Sequence, residues 1–217
     1  MGGPTNNGGI VFQWLKEVLG EKEVQQALAS GGSPYDLLTQ LAQGVKPGAD
    51  GLLFLPFLNG ERAPYWDANA RGSFIGLTLS HQKPHMIRAG LEGVIFSMYS
   101  IGEALERLAG SPANIFASGG FARSPLWLQI LTDIFGHEVQ VPVSHQSSAW
   151  GAAWFGLYAL GEVSSLSAIK ESIPMKETYT PNSVNHDFYN ELYQTYSQLY
   201  FALKPHFSEL ATLQRGK

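Results

Sequence analysis

The 217-residue chain contains no cysteine, which excludes a disulfide scaffold and a thiolate metal site. It also lacks a cluster of basic residues, since 14 Lys and Arg face 18 Asp and Glu for a net charge of −4. This balance argues against nucleic acid or an anionic membrane as a partner. No apolar run approaches the ~18 residues of a membrane span, and no signal-peptide pattern is present. The sequence therefore predicts a soluble, cytoplasmic protein without a membrane association.

Hydrophobic residues are abundant by contrast, at 44% of the chain with 12% aromatic. This content is enough to bury a substantial core in one large domain or two small ones. Strand and helix patterns alternate from residue 114 to 160, which is typical of an α/β domain whose ligands lie at the C-terminal ends of strands.

The most informative stretch is residues 118–125, where a short apolar strand at 114–117 meets a strong helix start. Ser124 can cap the helix, Pro125 suits its first position, and Gly136 is expected to end it. Between strand and helix, Gly119 and Gly120 leave the main chain bare, and free N–H groups at a helix start favour an anion or a polar heterocycle. A nucleotide is the natural ligand for this arrangement, and a purely structural turn is the alternative.

A second glycine-rich loop, residues 1–9, leads into a predicted helix at 10–19 that Asn6 or Asn7 could cap. Its bare backbone before a helix repeats the chemistry of residues 118–125, so two helix starts could face one ligand. The alternative is a cloning remnant or a flexible tail.

The remaining patterns predict a helix-rich domain with several short strands. The loop at 61–72 is either functional or an ordered loop in which Asp67 pairs with Arg71 over packed aromatics.

His81 and His85 are four residues apart, but Pro84 lies between them, so we favour a role at the helix start over metal binding. The predicted helices are 21–30, 33–44, 85–108 and 148–160, and the predicted strands are 52–58, 73–77 and 138–142. Residues 163–185 are predicted to form an excursion that covers the domain. A final helix carries the apolar stripe Phe188, Leu192, Tyr196, Leu199 and Leu203 before Pro205 breaks or kinks it.

Several stretches together resemble the FGGY family of carbohydrate kinases. Residues 72–77, followed by 85–89 and 91–92, are similar to the family's second signature, with Gly90 as the one departure. Further matches in family order are 9–14, 60–66, 71–72, 118–120, Gln129, Asp133 and 151–153. Within the family, residues 2–9 and 119–124 are most similar to bacterial gluconokinases.

The resemblance implies an actin-like ATPase, or ribonuclease H-like, fold: a mixed sheet flanked by helices. It implies transfer of the γ-phosphoryl group of ATP, with Mg²⁺, to a sugar hydroxyl. Residues 1–217 would be the C-terminal, nucleotide-binding domain without its first strands, with a covering helical segment at 186–215. The family's catalytic aspartate and most sugar contacts have no counterpart in the sequence, so no catalytic or metal-binding residue is assigned.

The resemblance assigns nucleotide contacts to Gly9 and Gln13 of the first helix and to Gly119, Gly120, Phe121 and Ser124 of the central turn. The similarity to gluconokinases indicates gluconate as the sugar. It would be held mainly by the family's N-terminal domain, which has no counterpart in the sequence. Xylulokinase, glycerol kinase and a non-catalytic interaction domain with the kinase fold are the alternatives. An uncovered sheet edge further predicts a homo-oligomer.

Overall fold

Three helices open the chain and a long one then crosses its centre. The computed structural model describes residues 2–144 and 146–216. The elements in order are α1 (Gly9–Leu19), α2 (Glu21–Ser30), α3 (Pro34–Gln43), β1 (Leu53–Leu55), β2 (Ser73–Ile75), α4 (Lys83–Ala109), β3 (Ile115–Phe116), α5 (Pro125–Phe135), β4 (Val139–Pro142), α6 (Ser147–Ala159), α7 (Ile169–Ser172), β5 (Met175–Tyr179) and α8 (Ser183–Gln214).

The strands form two small sheets. In the first, β1 and β2 are antiparallel, with Phe54 opposite Phe74. In the second, β3 runs parallel to β4, and β5 lies antiparallel on the other side of β4. The predicted alternation from 114 to 160 is confirmed as β3, α5, β4 and α6. The excursion at 163–185 is not only a cover, because it contributes β5 to the mixed sheet.

Helix α4 is the centre of the core and packs against α1, α3, α5, α8 and β1. Ile87, Val94 and Phe96 of this helix are buried. Gly93 lies directly over β1, where an added Cβ would overlap the carbonyl oxygen of Phe54. The glycine therefore lets helix and strand cross at close range.

Helix α8 buries Tyr196 of the predicted stripe and packs Leu192, Leu199 and Leu203 against the core, but Phe188 departs from the prediction. Phe188 is 43% exposed, whereas four tyrosines are buried along the helix: Tyr189, Tyr193, Tyr196 and Tyr200. Each tyrosine hydroxyl donates a hydrogen bond, to Glu92, Glu103, the carbonyl of Gly93 and Asp67 respectively. These polar partners stabilise the buried tyrosines, which hydrophobic spacing alone does not reveal.

The same helix continues through Pro205, so of the predicted break or kink the break does not occur. Proline removes one backbone hydrogen bond from a helix interior. Phe207 and Ala211 are nevertheless buried beyond it. Their packing holds the last turns in helical conformation. No helix in the described ranges is both long and apolar enough to cross a membrane.

The loop at 61–72 is ordered, but Asp67 and Arg71 do not pair as predicted. Asp67 Oδ2 accepts a hydrogen bond of 3.0 Å from the Tyr200 hydroxyl, and Arg71 Nε donates one of 2.6 Å to Gln214 Oε1. The Tyr65 and Tyr200 rings stack 3.7 Å apart. The loop is thus anchored to α8 as well as to its own backbone, where Arg71 Nη1 donates to the Ala68 and Ala70 carbonyls.

His85 lies at the start of α4, as expected. Its Nδ1 accepts a hydrogen bond of 3.1 Å from the backbone N–H of Gln82, and the Gln82 side chain accepts one from the His85 N–H. This reciprocal pair is a capping box. His85 Nε2 also lies 3.2 Å from Asp50 Oδ2.

Candidate nucleotide site

A cavity of about 340 Å³ lies where α1, α3 and the turn before α5 meet. Its volume falls within the ~300–1,000 Å³ range of small-molecule sites. The lining residues are Gly9, Phe12, Ser33, Tyr35, Asp36, Thr39, Gly120, Phe121, Arg123, Ser124 and Trp127.

Four of the six predicted contact residues line this cavity: Gly9, Gly120, Phe121 and Ser124. They come from two segments more than 100 residues apart in sequence, as the prediction of two helix starts facing one ligand requires. Gly119 precedes the lining residues of the turn. Gln13 does not line the cavity, and its Nε2 donates a hydrogen bond of 2.9 Å to Glu17 Oε1 on the exposed side of α1.

The turn is followed by the helix start that the sequence predicts. Ser124 is the N-cap of α5, and its side-chain oxygen accepts a hydrogen bond of 3.2 Å from the Trp127 N–H. Pro125 is the first helical residue, and Gly136 ends the helix with φ of 65°. Residues 120–123 form a 3-10 turn before this start, which brings Phe121 and Arg123 to the cavity.

The two glycines of the turn have different requirements. Gly119 has φ of 97°, a conformation that L side chains rarely adopt, so the backbone itself needs glycine there. Gly120 has no such φ, and a Cβ added to it would meet no atom within 4 Å. The fold therefore tolerates a side chain at residue 120, and that side chain would project into open space at the cavity.

Aromatic rings form one wall of the cavity. The Phe12 ring lies 5.2 Å from Tyr35 and 5.5 Å from Trp127, and the Phe121 ring lies 5.7 Å from Trp127. Trp127 Nε1 is satisfied by the Leu91 carbonyl at 3.0 Å. The sequence indicated Phe121 but not Phe12, Tyr35 or Trp127, because aromatics at helical spacing look like ordinary core residues.

The helix starts at the cavity retain free donors. Asn6 and Asn7 do not cap α1, contrary to expectation; the N-cap is Gly8, which has no side chain to offer. Ser33 is the N-cap of α3, but its hydroxyl makes no capping bond. Two of the three helix starts therefore present backbone N–H groups without a side-chain cap, which suits a polar or anionic ligand.

Charge at the cavity is carried by Asp36 and Arg123. Neither side chain forms an ion pair within the described ranges of the chain, and both are exposed. One cation and one anion are thus available to a ligand. Sequence reasoning missed both residues, since nothing in their local pattern separates them from ordinary surface charges.

The signature residues at 85–92 do not line this cavity but stabilise the core behind it. Arg88 Nε donates to Glu92 Oε1 at 2.6 Å, and the Tyr189 hydroxyl donates to the same oxygen at 2.6 Å. The Gly48 N–H donates there as well, at 2.9 Å. Burial raises the pKa of the Glu92 carboxyl, against the opposing effect of the Arg88 charge.

Two other hollows in the described ranges are larger but lack the predicted residues. One of about 560 Å³ lies along β3 and β4 and is lined in part by Phe116, Trp150 and Met175. It includes no residue assigned to the nucleotide. The cavity at Gly9 and Gly120 is therefore the candidate site on the strength of its glycines and helix starts rather than its size.

Comparison with known proteins places the chain in a family. Residues 1–160 match the model of the FGGY family of carbohydrate kinases, C-terminal domain. The chain is 46% identical to a gluconokinase of Bacillus subtilis over all 217 residues, which is 42% of that protein.

Solved structures agree. A gluconate kinase of Lactobacillus acidophilus superposes with a TM-score of 0.83 at 38% identity, over 96% of this chain and 40% of that one. A ligand-bound xylulose kinase of the same organism gives 0.84 at 38% identity, with the same coverage. The predicted actin-like ATPase fold is thereby confirmed, and the chain spans about two-fifths of the length of these relatives. The chain belongs to the FGGY family of carbohydrate kinases and carries its C-terminal domain.

Proposed function

We propose that this chain is the ATP-binding part of a kinase that transfers the γ-phosphoryl group of ATP to a sugar or sugar acid. One observation carries the proposal: a single cavity joins the start of α1 to the Gly120–Ser124 turn. Bare backbone at two helix starts suits a polar ligand, and the aromatic wall suits a planar base.

The residues fit the nucleoside part of ATP. Phe121 and the rings beside it offer an apolar surface to the base, while Gly9 and Gly120 allow close approach of the main chain. Ser124 retains acceptor capacity on its hydroxyl beyond the bond from Trp127. Gln13 does not line the cavity, and its amide donates to Glu17 on the exposed side of α1, so its contribution is the weakest of the six.

Mg²⁺ would accompany the phosphates, where it neutralises charge during phosphoryl transfer. It commonly binds through one or two carboxylates, waters and the phosphate oxygens. We assign no residue of this chain as its ligand. The chain's proposed task is to hold and orient the nucleotide.

For the substrate we propose D-gluconate, with 6-phosphogluconate as product. The support is the 46% identity to a gluconokinase. The fold does not discriminate, since a xylulose kinase superposes as well as a gluconate kinase. Xylulokinase is therefore the second candidate. The complete kinase should use D-gluconate with a kcat/KM well above that for D-xylulose or glycerol, and the reverse order would reject gluconate.

By the same proposal, the chain alone binds ATP but does not phosphorylate. Phosphoryl transfer depends on positioned groups, and no aspartate here matches the family's catalytic base. A coupled assay of the purified chain with ATP and D-gluconate should show no turnover above background. Enzyme-like rates would contradict this division of labour, as would a chain that binds no ATP at all, which would instead fit a non-catalytic interaction domain.

We also propose a cytoplasmic location, where ATP is available, and self-association of the isolated chain. Within the described ranges, β3 pairs with β4 on one side only, and Phe116 on this edge strand is 57% exposed. Unpaired strand edges promote association. Sedimentation velocity should show a dimer or larger species, and a monomer at high concentration would reject self-association.

A further inference from the structure

A buried carboxylate holds the loop that leads into α1. Glu61 is 3% exposed, and its two oxygens accept hydrogen bonds from four residues distant in sequence and from its neighbour Arg62. Oε1 accepts from the Thr5 hydroxyl at 3.0 Å and from the N–H groups of Asn6 and Arg62 at 3.1 and 2.7 Å. Oε2 accepts from Thr5 at 2.9 Å, from Asn7 Nδ2 at 3.1 Å and from Ser97 Oγ at 3.2 Å.

The neighbouring backbone reinforces the same attachment. Asn7 Nδ2 also donates to the Gly60 carbonyl at 2.6 Å, and the Ala63 N–H donates to the Pro4 carbonyl at 3.0 Å. Asn7 itself is fully buried. The loop at 4–7 is thus fixed along the loop at 59–63, and Ser97 ties both to the central helix α4.

The attachment of this loop bears on the candidate site through Gly8 and Gly9, the two residues that follow it. Asn7 is followed by Gly8, the N-cap of α1, and by Gly9, which lines the cavity. Because Gly8 offers no side-chain cap, this helix start is held by the packing of Val11 and Phe12 and by the attachment of the residues before it. Glu61 accepts from both residues that precede Asn7 and from Asn7 itself.

We propose that Glu61 is a positioning residue for nucleotide binding, which fixes the start of α1 at the cavity without touching the ligand. This inference rests on the proposed ATP site. Sequence reasoning missed it because all the donors except Arg62 lie 36 to 56 residues away from Glu61 in the chain.

Glu61→Gln is the sharpest variant, since it keeps the shape and changes one oxygen to an NH₂ group. An amide nitrogen cannot accept a hydrogen bond. At the Oε1 position it would oppose two backbone N–H groups, and at the Oε2 position it would oppose Asn7 Nδ2. Either orientation therefore disrupts the attachment of the loop.

Asp133→Asn is the matched control. Asp133 is 2% exposed, and its carboxylate accepts from Gln129 Nε2 at 2.7 Å, the Asn182 N–H at 2.9 Å and Asn185 Nδ2 at 2.8 Å. It lies nine residues beyond Ser124, about 13 Å along α5 at 1.5 Å per residue. The variant disrupts a comparable carboxylate far from the cavity.

The experiment measures the Kd of MgATP by calorimetry and the thermal midpoint without ligand, for the 217-residue chain and both variants. We expect both variants to melt earlier, Glu61→Gln to weaken MgATP binding about tenfold or more, equivalent to ~1.4 kcal/mol, and Asp133→Asn to change it less than about twofold. Equal affinities for both variants would overturn the positioning role.

Two further arms keep the outcomes distinct. Thr5→Val removes one donor to Glu61 and the acceptor of the Asn7 N–H, and it should weaken binding to an intermediate degree even if Glu61→Gln does not fold. Amide hydrogen exchange over residues 5–12 should be faster in Glu61→Gln than in the parent chain. If the parent chain binds no MgATP, the proposed function fails, while unchanged exchange at 5–12 would separately reject the positioning role.

Discussion

Arg88 Nε lies 2.6 Å from Glu92 Oε1, and the two side chains are 6% and 2% exposed. The guanidinium also donates to the Tyr189 hydroxyl at 2.8 Å, so the pair connects the central helix to α8. Removing one member of a buried pair leaves an uncompensated charge, which costs about 3–5 kcal/mol. Arg88→Met should therefore destabilise the chain by about this amount in urea unfolding.

The same network provides its own control. Arg88→Met combined with Glu92→Leu removes both charges, and we expect part of the lost stability to return. Glu92→Leu also leaves the Gly48 N–H and the Tyr189 hydroxyl without their acceptor, so recovery should be incomplete. A double variant no more stable than the single one would show that the unpaired carboxylate is not the main cause of the loss.

A second ion pair predicts a pH dependence. Lys83 Nζ donates to both oxygens of Glu23, at 2.6 and 2.8 Å. Burial raises the pKa of Glu23, but the hydrogen bonds and charge of Lys83 outweigh it, so the pKa is lowered on folding. A lowered pKa stabilises the fold above the unfolded-state value and ceases to do so as pH falls through the folded-state value.

Lys83→Met should accordingly lower the free energy of unfolding by about 1 kcal/mol at pH 7. The difference between parent and variant should be smaller below about pH 4. The measurement is urea unfolding of parent and variant at both pH values. Lys176→Met is the matched control, since Lys176 is 57% exposed beside Glu177 and should cost little at either pH. A Lys83 effect independent of pH would contradict the ionic contribution.

The turn glycines predict opposite consequences of substitution. Gly120→Val should leave the thermal midpoint nearly unchanged, because its Cβ meets no protein atom within 4 Å, but should weaken MgATP binding. Gly119→Ala should destabilise the fold by about 1 kcal/mol or more, because φ of 97° strains a residue with a side chain. Calorimetry and thermal unfolding of both variants test this. Normal MgATP affinity in Gly120→Val would show that the turn has only a structural role.

Ser124 has a measurable structural role besides the proposed one. Loss of its bond to the Trp127 N–H in Ser124→Ala should cost about 1 kcal/mol of stability. The effect on MgATP affinity should be weaker than that of Gly120→Val, since one hydrogen bond contributes about 0.5–1.5 kcal/mol. In the complete kinase, both variants should raise the KM for ATP more than that for the sugar.

Local signals explain what the sequence predicted well. Ser124, Pro125 and Gly136 bound α5 because capping chemistry acts within a few residues. The strand β5 was missed because Lys176 and Glu177 are polar, and only its pairing with β4 makes it a strand. Long-range partners decide such cases.

The site shows the same division. The two glycine loops before helix starts were predicted from their local pattern, whereas the assignment of Gly9, Gly120, Phe121 and Ser124 as contacts came from the family resemblance. Their arrangement around one cavity depends on packing that no window of sequence contains. The hold of Glu61 on residues 5–7 is a contact of this second kind.

The most direct measurement is hydrogen exchange of the chain, detected by mass spectrometry, with and without saturating MgATP. The central claim is that the cavity between α1, α3 and the Gly120–Ser124 turn holds the nucleotide. We predict slower exchange in the segments 8–13, 33–39 and 119–127, with little change along β3 and β5. Protection confined to the hollow beside β3, or no protection anywhere at saturating MgATP, would contradict the claim.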